Sequence, residues 1–207
     1  QPRKPHTMNI TALASIALAA TSLLTPATPN SDIAQGDIIT YTSLNPATAK
    51  IAVNTCTIGY TKNTTAHTAG HCGYPGAEAY NKNGTLIGYF DTVQDKADDY
   101  TAHGDTGTIN LTKPTNNNPY AQDSLIHLTP KDGDKICIHA GYTDKTLCGT
   151  IDQIDDDVIT AHGIVDIQPG DSGSPAWIPG KGYVGTLSAN VTTKDGDVIS
   201  ALITTAD

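Results

Sequence analysis

From residue 37 onward the sequence consists of short stretches of β-branched and other apolar residues, each ended by Gly, Asn or Asp. β-branched side chains favour strands, whereas Gly, Asn and Asp adopt the backbone conformations that tight turns require. After residue 24, no long stretch has the apolar periodicity of an amphipathic helix. The pattern therefore predicts an all-β protein with many turns.

One interruption of this pattern suggests two halves. Residues 113–119 read Lys-Pro-Thr-Asn-Asn-Asn-Pro, and two prolines around three asparagines do not fit within a sheet. The chain has 207 residues, which is enough for one large domain or two small ones. We expect an N-terminal β-domain at residues 37–113, a linker at residues 114–119 and a C-terminal β-domain at residues 120–207.

Residues 1–36 differ in composition from the rest. Arg3 and Lys4 precede an apolar run of small residues at positions 10–24, and a stretch rich in Pro, Thr and Ser follows at positions 25–36. The run is shorter than the roughly 20 residues of a membrane span, and its layout is typical of a secretory signal. A buried hydrophobic helix is the alternative. We expect a signal-like segment, a flexible connection and a secreted, extracellular protein.

The four cysteines fall into two local pairs, Cys56 with Cys72 and Cys137 with Cys148. Neither pair has CxxC spacing, and no second ligand cluster would complete a zinc site. An even number of cysteines in an acidic, Thr-rich chain favours two disulfides and an oxidising compartment. Four buried free thiols in a cytosolic protein are the alternative.

The charge balance excludes two classes of partner. The net charge is −9, and Lys plus Arg number only 12. Proteins that bind nucleic acid through its phosphates depend on basic side chains, and no lysine-rich run is present to bind an anionic membrane. We therefore expect neither a nucleic-acid partner nor a stable membrane partner.

The sequence Pro-Gly-Asp-Ser-Gly-Ser-Pro at residues 169–175 predicts a tight turn with an exposed hydroxyl at Ser172. Glycines permit backbone conformations that other residues avoid, and they let a ligand approach the chain closely. Such a turn brings the N–H groups of Gly170 and Ser172 towards one point, where they would stabilise an oxyanion in acyl transfer. A glycine-rich surface turn is the alternative.

A serine becomes a nucleophile when a base takes its proton and a carboxylate orients that base. His71 is the favoured base, because it lies in Thr-Ala-Gly-His-Cys at residues 68–72 and a disulfide at Cys72 would fix the backbone beside it. His67 forms an HxxxH pattern with His71. Because that pattern lacks a helix and a third ligand, no metal site is expected.

The histidine and serine sequences together resemble the corresponding motifs of the chymotrypsin-like serine peptidases, most of all the secreted bacterial streptogrisin and alpha-lytic protease branch. Cys56 resembles the partner of the cysteine that follows the catalytic histidine, and Cys137 with Cys148 resembles the short second disulfide loop. The resemblance extends from about residue 38 to residue 203. It implies two six-stranded antiparallel β-barrels with the active site in the cleft between them.

The resemblance also implies a secreted serine endopeptidase that hydrolyses peptide bonds through an acyl-enzyme. Ser172 and His71 would act with an aspartate, and the N–H groups of Gly170 and Ser172 would form the oxyanion hole. Asp105 is the preferred aspartate, because it opens an apolar strand as the family's aspartate does. The alternatives are Asp98 and Asp99.

Substrate specificity is assigned by the same resemblance. Ser188, Ala189 and Asn190 resemble the strand that pairs with the substrate backbone and forms a wall of the primary pocket, and Ser188 matches a serine that supports the catalytic aspartate. Asp166 stands where trypsin has the acid at the base of its pocket, which would select Lys or Arg. The bacterial branch has a cysteine at this spacing and a different pocket.

The sequence departs from the family beside the serine. The bacterial enzymes often have an arginine near the position of Cys137 to pair with the acid before the serine, but here Ile138 and His139 follow, and no partner for Asp171 is apparent. A catalytically inactive module for binding or adhesion is therefore the alternative function. For the enzyme we expect a protein or peptide substrate, no metal or organic cofactor, and a monomer.

Overall fold

The computed structural model describes residues 33–45, 49–94, 105–121 and 129–205. The first half of this chain contains β1 (Ile38–Asn45), β2 (Lys50–Thr57), β3 (Tyr60–Lys62), β4 (Thr65–Thr68), β5 (Glu78–Asn81), β6 (Leu86–Gln94) and β7 (Thr106–Leu111). The second half contains β8 (Lys135–Ala140), β9 (Lys145–Asp155), β10 (Val158–His162), β11 (Pro175–Ile178), β12 (Gly182–Thr192) and β13 (Val198–Thr205). A 3₁₀ turn at Gly70–Cys72 is the one helical element of these ranges, and they contain no helix that is long and apolar enough to cross a membrane.

The first seven strands form one antiparallel sheet in the order β2-β1-β5-β6-β7-β4-β3. β2 and β3 lie at opposite edges of this sheet, yet only Ile58 and Gly59 separate them in sequence. The sheet must therefore curl until its edges meet. At the junction, the N–H of Ile58 donates to the carbonyl of Asp37 (2.8 Å), and the N–H of Gly59 donates to the carbonyl of His67 in β4 (2.7 Å). β2 and β3 thus act as one bent strand in a barrel.

The last six strands form a closed antiparallel barrel in the order β10-β13-β12-β11-β8-β9. Its core is made of aliphatic side chains, among which Ile136, Ile138, Ile159 and Ile203 are fully buried. A second, separate core fills the first sheet around Ile39, Ile58, Ile87, Phe90 and Ile109. The predicted all-β fold with two barrels is confirmed. The first barrel has seven strands, which correspond to the predicted six when β2 and β3 are counted as one bent strand.

The described part of the expected flexible connection is well packed, so this expectation is wrong for residues 33–36. Ile33 is buried in the core of the first barrel, and Gln35 is 2 % exposed. The Gln35 amide satisfies three backbone groups: its Nε2 donates to the carbonyl of Gly59 (2.9 Å), and its Oε1 accepts from the N–H groups of Tyr120 (3.1 Å) and Ala121 (3.0 Å). The signal-like residues 1–32 lie outside the described residues.

The predicted linker contains no strand, but it is bound to the first barrel. Asn118 is buried, and its side chain pairs with the backbone of Thr61: Oδ1 accepts from the N–H (2.9 Å) and Nδ2 donates to the carbonyl (2.8 Å). The side chain of Asn118 therefore replaces the neighbouring strand that Thr61 lacks. The domain boundaries on either side of residues 114–119 stay a prediction.

Replacing Gln35 by Ala is expected to lower the free energy of unfolding by about 3 kcal/mol, because it leaves buried backbone groups without partners. Urea unfolding of the disulfide-intact protein measures this. Gln153→Ala is the matched control, because Gln153 is exposed on β9. Equal stability of the two variants would contradict a structural role for Gln35.

Candidate active site

The backbone around His71 is fixed from three sides. His71 lies in the 3₁₀ turn that follows β4, and its neighbour Cys72 forms a disulfide with Cys56 of β2. The hydroxyl of Tyr41 in β1 donates to the carbonyl of His71 (3.0 Å). Three strands of the first barrel therefore determine where the imidazole points.

The imidazole of His71 is paired with Asp105, at the start of β7. Nδ1 of His71 and Oδ2 of Asp105 are 2.5 Å apart, and the backbone N–H of His71 donates to Oδ1 (2.8 Å). Asp105 is 3 % exposed, whereas the His71 side chain is 31 % exposed. The carboxylate can therefore hold the ring in one orientation while its other edge faces the cavity. Asp98 and Asp99 lie outside the described residues.

A hydroxyl network from the second barrel holds the backbone of Asp105. Its N–H donates to Oγ1 of Thr204 in β13 (3.0 Å), and that oxygen is 2.5 Å from Oγ of Ser188 in β12. The resemblance implies that Ser188 supports the aspartate of the proposed triad, Asp105. In the structure the connection runs through Thr204 to the backbone of Asp105, so Thr204 is a residue that the sequence analysis missed.

Ser172 lies half-buried in a turn between two glycines with positive φ, Gly170 at +105° and Gly173 at +87°. This part of φ space strains every residue with a Cβ. A Cβ on Gly173 would also lie 2.2 Å from the carbonyl oxygen of Thr57, so the turn can approach β2 this closely only with glycine there.

The N–H groups of the turn divide into two kinds. Those of Asp171, Gly173 and Ser174 donate to carbonyls of Gln168, Leu187 and Asp171, respectively. Those of Gly170 and Ser172 donate to no group of the described chain. Two free donors on either side of one residue are the groups that an oxyanion would need.

Thr57, at the end of β2, connects the serine turn to the first barrel. Its N–H donates to the carbonyl of Ser172 (2.8 Å), and its hydroxyl donates to the carbonyl of Gly170 (2.9 Å). Both carbonyls are thereby occupied, which fixes the peptide planes beside the serine. The sequence analysis missed this role, although Thr57 directly follows Cys56.

The partner of Asp171, which the sequence does not reveal, is a set of neutral donors. Asp171 is fully buried; its Oδ1 accepts from the N–H groups of Tyr142 (3.0 Å) and Thr143 (3.1 Å), and its Oδ2 accepts from the N–H of Gln168 (2.9 Å). The hydroxyl of Thr143 adds longer contacts to both oxygens (3.5 and 3.4 Å). No lysine or arginine in the described ranges forms an ion pair with this carboxylate.

A cavity of about 360 Å³ brings together three of the predicted site residues, His71, Gly170 and Ser172. It is lined by Tyr41, Asn54, Thr55, Cys56, His71, Tyr142, Pro169, Gly170 and Ser172. The two tyrosines were not predicted, because they come from separate barrels and carry no motif. Tyr142 packs against Gly170, where a Cβ would meet its ring at 2.8 Å.

The predicted specificity residues do not line this cavity. Ser188 is buried, Ala189 is half-buried and Asn190 is exposed, all on β12. Asp166 has a positive φ of 69° and forms an ion pair with Lys145, with both side chains 52 % exposed. This surface ion pair differs from the buried pocket base that the resemblance implies.

Both predicted disulfides are present: Cys56 is bonded to Cys72, and Cys137 in β8 is bonded to Cys148 in β9. Sγ of Cys56, Sγ of Cys72 and a ring nitrogen of His71 lie close enough for one ion. The two sulfurs are bonded to each other, however, so they are not thiolate ligands.

His139 lies two residues after Cys137, but it does not bond to Asp171. It is buried, its Nε2 is 2.8 Å from the hydroxyl of Tyr120, and its Nδ1 has no hydrogen-bond partner in the described chain. Burial lowers the pKa of His139 below its usual value, and the smaller effects of Asp144 and Asp171 raise it.

Because the pKa of His139 is lowered on folding, the unfolded chain takes up this proton first as the pH falls. The stabilisation is therefore complete above about pH 6.5 and is lost as the pH falls towards the folded-state pKa. We expect the free energy of unfolding to fall more in the wild type, as the pH is lowered from about 7.5 to about 5 across the usual histidine pKa of about 6.5, than in His139→Gln, which keeps an acceptor for Tyr120. Urea titrations at both pH values measure this. Equal losses in the two proteins would contradict the burial of neutral His139.

Comparison with known proteins identifies the fold. No protein-family model matches the sequence, and no curated protein matches it. Among solved structures, Cellulomonas bogoriensis chymotrypsin matches with a TM-score of 0.57 at 20 % identity, over 84 % of this chain and 91 % of that chain. Nocardiopsis protease matches with 0.53 at 19 %, over 80 % and 89 %. The scabies mite inactivated protease paralogue matches with 0.54 at 15 %, over 82 % and 89 %. The chain therefore has the fold of the chymotrypsin-like serine proteases.

Proposed function

We propose that the protein is a secreted serine endopeptidase. It hydrolyses peptide bonds in proteins or peptides through Ser172, His71 and Asp105, with an acyl-enzyme intermediate. The observation on which this rests is the double hydrogen bond between His71 and Asp105 next to the cavity that Ser172 also lines. A buried carboxylate, an orienting contact to Nδ1 and a serine at the same cavity are the parts that such a reaction uses.

The reaction begins when Ser172 Oγ attacks the carbonyl carbon of the scissile peptide and His71 Nε2 takes the hydroxyl proton. Asp105 accepts the hydrogen bond from Nδ1 and stabilises the imidazolium that forms. His71 then gives its proton to the leaving amine as the C–N bond breaks. A water molecule, deprotonated by the same nitrogen, attacks the carbonyl carbon of the acyl-enzyme. The bond from this carbon to Ser172 Oγ then breaks, Oγ takes the proton back from His71, and the second product leaves with a new carboxyl group.

The free N–H groups of Gly170 and Ser172 stabilise the oxyanion of each tetrahedral intermediate. The orientation of these N–H groups is fixed by the bonds around them. Thr57 donates to the carbonyls of Gly170 and Ser172, and the backbone N–H groups of Tyr142 and Thr143 donate to the carboxylate of Asp171. Such preorganised donors cost no reorganisation during the reaction, and one of them is typically worth about 3 kcal/mol. The mechanism requires no organic cofactor.

An extracellular location agrees with the two disulfides, since such bonds persist in oxidising compartments. The apolar run at residues 10–24 adds a sequence pattern typical of export.

An inactive binding module is the competing function, and the name of the scabies mite paralogue indicates that this fold also occurs in inactivated proteins. Its main support in the sequence is the missing partner of Asp171. The four donors to that carboxylate remove this support, because they satisfy Asp171 without a cation.

Hydrolysis of casein and labelling by a serine-directed phosphonate test the proposal. The wild type is expected to cleave casein and to take up the label at Ser172, and Ser172→Ala is expected to lose both, with kcat falling by about 10⁶-fold. Ser200→Ala is the matched control, because Ser200 lies on β13 outside the cavity. A folded, disulfide-intact wild type that neither cleaves nor is labelled would refute the peptidase.

Thr57→Val is expected to lower kcat by about tenfold with little change in KM, less than the roughly 100-fold loss from removing an oxyanion donor itself. The substitution keeps the side-chain shape but removes the bond to the carbonyl of Gly170. Thr61→Val is the control, since it removes a buried hydroxyl that bonds to Asn118 instead. Equal kcat values for the two variants would show that Thr57 does not position the turn.

A further inference from the structure

Four exposed asparagines of the described chain are each followed by threonine two positions later: Asn63, Asn83, Asn110 and Asn190. The residue in between is never proline. Asn-X-Thr is the sequence at which N-linked glycans are attached to exported proteins. Because so short a pattern also occurs by chance, the surroundings of each side chain decide whether it is a site.

The asparagine side chains of the described chain divide by their hydrogen bonds. Those of Asn54, Asn81, Asn116 and Asn118 bond to other groups of the fold, and none of these residues precedes threonine at this spacing. The side-chain amides of the four Asn-X-Thr sequences form no hydrogen bond with any described residue. The fold therefore does not use the amides that a glycosyl transfer would modify.

Three of the four sequences lie at one end of the first barrel. Asn63 is in the turn between β3 and β4, Asn83 is in the turn between β5 and β6, and Asn110 is the last residue but one of β7. The start of β6 pairs with the end of β7, and the end of β7 pairs with the start of β4. The three asparagines therefore share one end of the sheet, the distal end.

The distal end lies opposite the candidate active site. β7 begins next to Asp105, and Asn110 lies about 17 Å further along this strand. β4 likewise follows the turn of Asn63 and ends before the turn that contains His71. None of the three asparagines lines the cavity of Ser172. Glycans at the distal end would therefore leave the cavity open.

Asn190 differs from the other three asparagines. It lies on β12 of the second barrel, in the stretch that the resemblance assigns to the substrate. A glycan at this position would compete with the substrate. The proposal below therefore concerns the distal end alone.

An exposed aromatic ring lies beside one of the three sites. Tyr89 of β6 is paired directly with Asn110 of β7, and it is 43 % exposed. Directly opposed side chains of an antiparallel pair have Cβ atoms about 5 Å apart. A sugar has an apolar C–H face, and an aromatic ring offers a large apolar area. The first sugar on Asn110 would therefore pack against Tyr89 and cover it.

We propose that Asn63, Asn83 and Asn110 carry N-linked glycans that cover the distal end, with the glycan of Asn110 packed against Tyr89. The side-chain nitrogen forms a bond to C1 of the first sugar of an oligosaccharide that is carried on a polyprenyl diphosphate. The bond from C1 to the diphosphate oxygen breaks, the nitrogen loses one proton, and the polyprenyl diphosphate leaves. The proposal rests on export, which is part of the proposed function, and not on the hydrolysis of peptides.

Glycan mapping of the protein secreted by its natural source tests the proposal. Peptide-N-glycosidase in water labelled with heavy oxygen converts each glycosylated asparagine to a labelled aspartate, which mass spectrometry locates. The label is expected at Asn63, Asn83 and Asn110. Asn117 is the internal control, because it is exposed and its side chain is unbonded in the described chain, but proline follows two positions later. Absence of the label from the three asparagines, or equal labelling of Asn117, would overturn the proposal.

Removal of the glycans from the folded protein tests the contact with Tyr89. Deglycosylation is expected to lower the Tm of the wild type by about 3 °C and that of Tyr89→Ser by less, because the variant has no ring for the sugar to cover. Tyr74→Ser is the matched control with the wild-type shift, since Tyr74 is also exposed but follows the turn of His71. Equal shifts in the wild type and Tyr89→Ser would overturn the contact.

These measurements separate the glycans from the peptidase. The Ser172→Ala protein is expected to carry the same glycans as the wild type, and deglycosylation is expected to leave the wild-type kcat/KM unchanged. Glycans on an inactive wild type would refute the peptidase and support this proposal, whereas an active protein without glycans would do the reverse. A kcat/KM that changes on deglycosylation of a protein that stays folded would overturn the placement of the glycans away from the cavity.

Discussion

The hydrogen bonds of Thr57 to the serine turn are the contact on which the candidate site depends, because they join the two barrels at the point where residues from both barrels line the cavity. His71 and Asp105 belong to the first barrel, and Ser172 follows β10 of the second. A shift of one barrel against the other would separate the proposed base, His71, from the proposed nucleophile, Ser172. The two bonds from Thr57 resist this shift, and the N–H of Asp105 adds a third connection through Thr204 of the second barrel.

The buried carboxylate of Asp171 is the second constraint on the same turn. Burying a carboxylate without partners costs several kcal/mol, so the chain must supply donors or a cation. Here the donors are the backbone N–H groups of Tyr142, Thr143 and Gln168. Because peptide groups carry no net charge and cannot titrate at neutral pH, this support does not depend on a nearby basic group. The turn at residues 141–144 and the serine turn therefore stabilise each other.

The sequence predicts the parts of the molecule that depend on local chemistry. The all-β fold and the two cysteine pairs follow from residue type and spacing, and the structure confirms both among the residues that it describes. Ser172, His71 and Asp105 are named from motifs, and the structure brings His71 to Asp105 and to the cavity of Ser172.

The partners of Asp171 could not be predicted, since backbone N–H groups exist at every residue and the two from the β8–β9 turn are distant in sequence. In the sequence, Gln35 and Asn118 resemble solvated loop residues. Only the structure shows that their side chains bond to buried backbone groups. The two tyrosines of the cavity are likewise brought together only by the packing of the barrels.

One continuous segment meets physical demands that differ along its length. At the buried end of β2, Cys56 and Thr57 fix the histidine and the serine, and this requires a rigid backbone with every group bonded. At the exposed end, β2 is the edge strand of its sheet, and the side chains of Ile51 and Val53 are 73 % and 71 % exposed. A free edge with apolar side chains favours association with other chains, and Lys50 at the start of this edge opposes it. Such an edge is stable in a soluble protein when it is short, and β2 is exposed over only its first half. The change from exposed to buried within one strand therefore places the fixed backbone beside His71 and Ser172 next to an exposed strand edge.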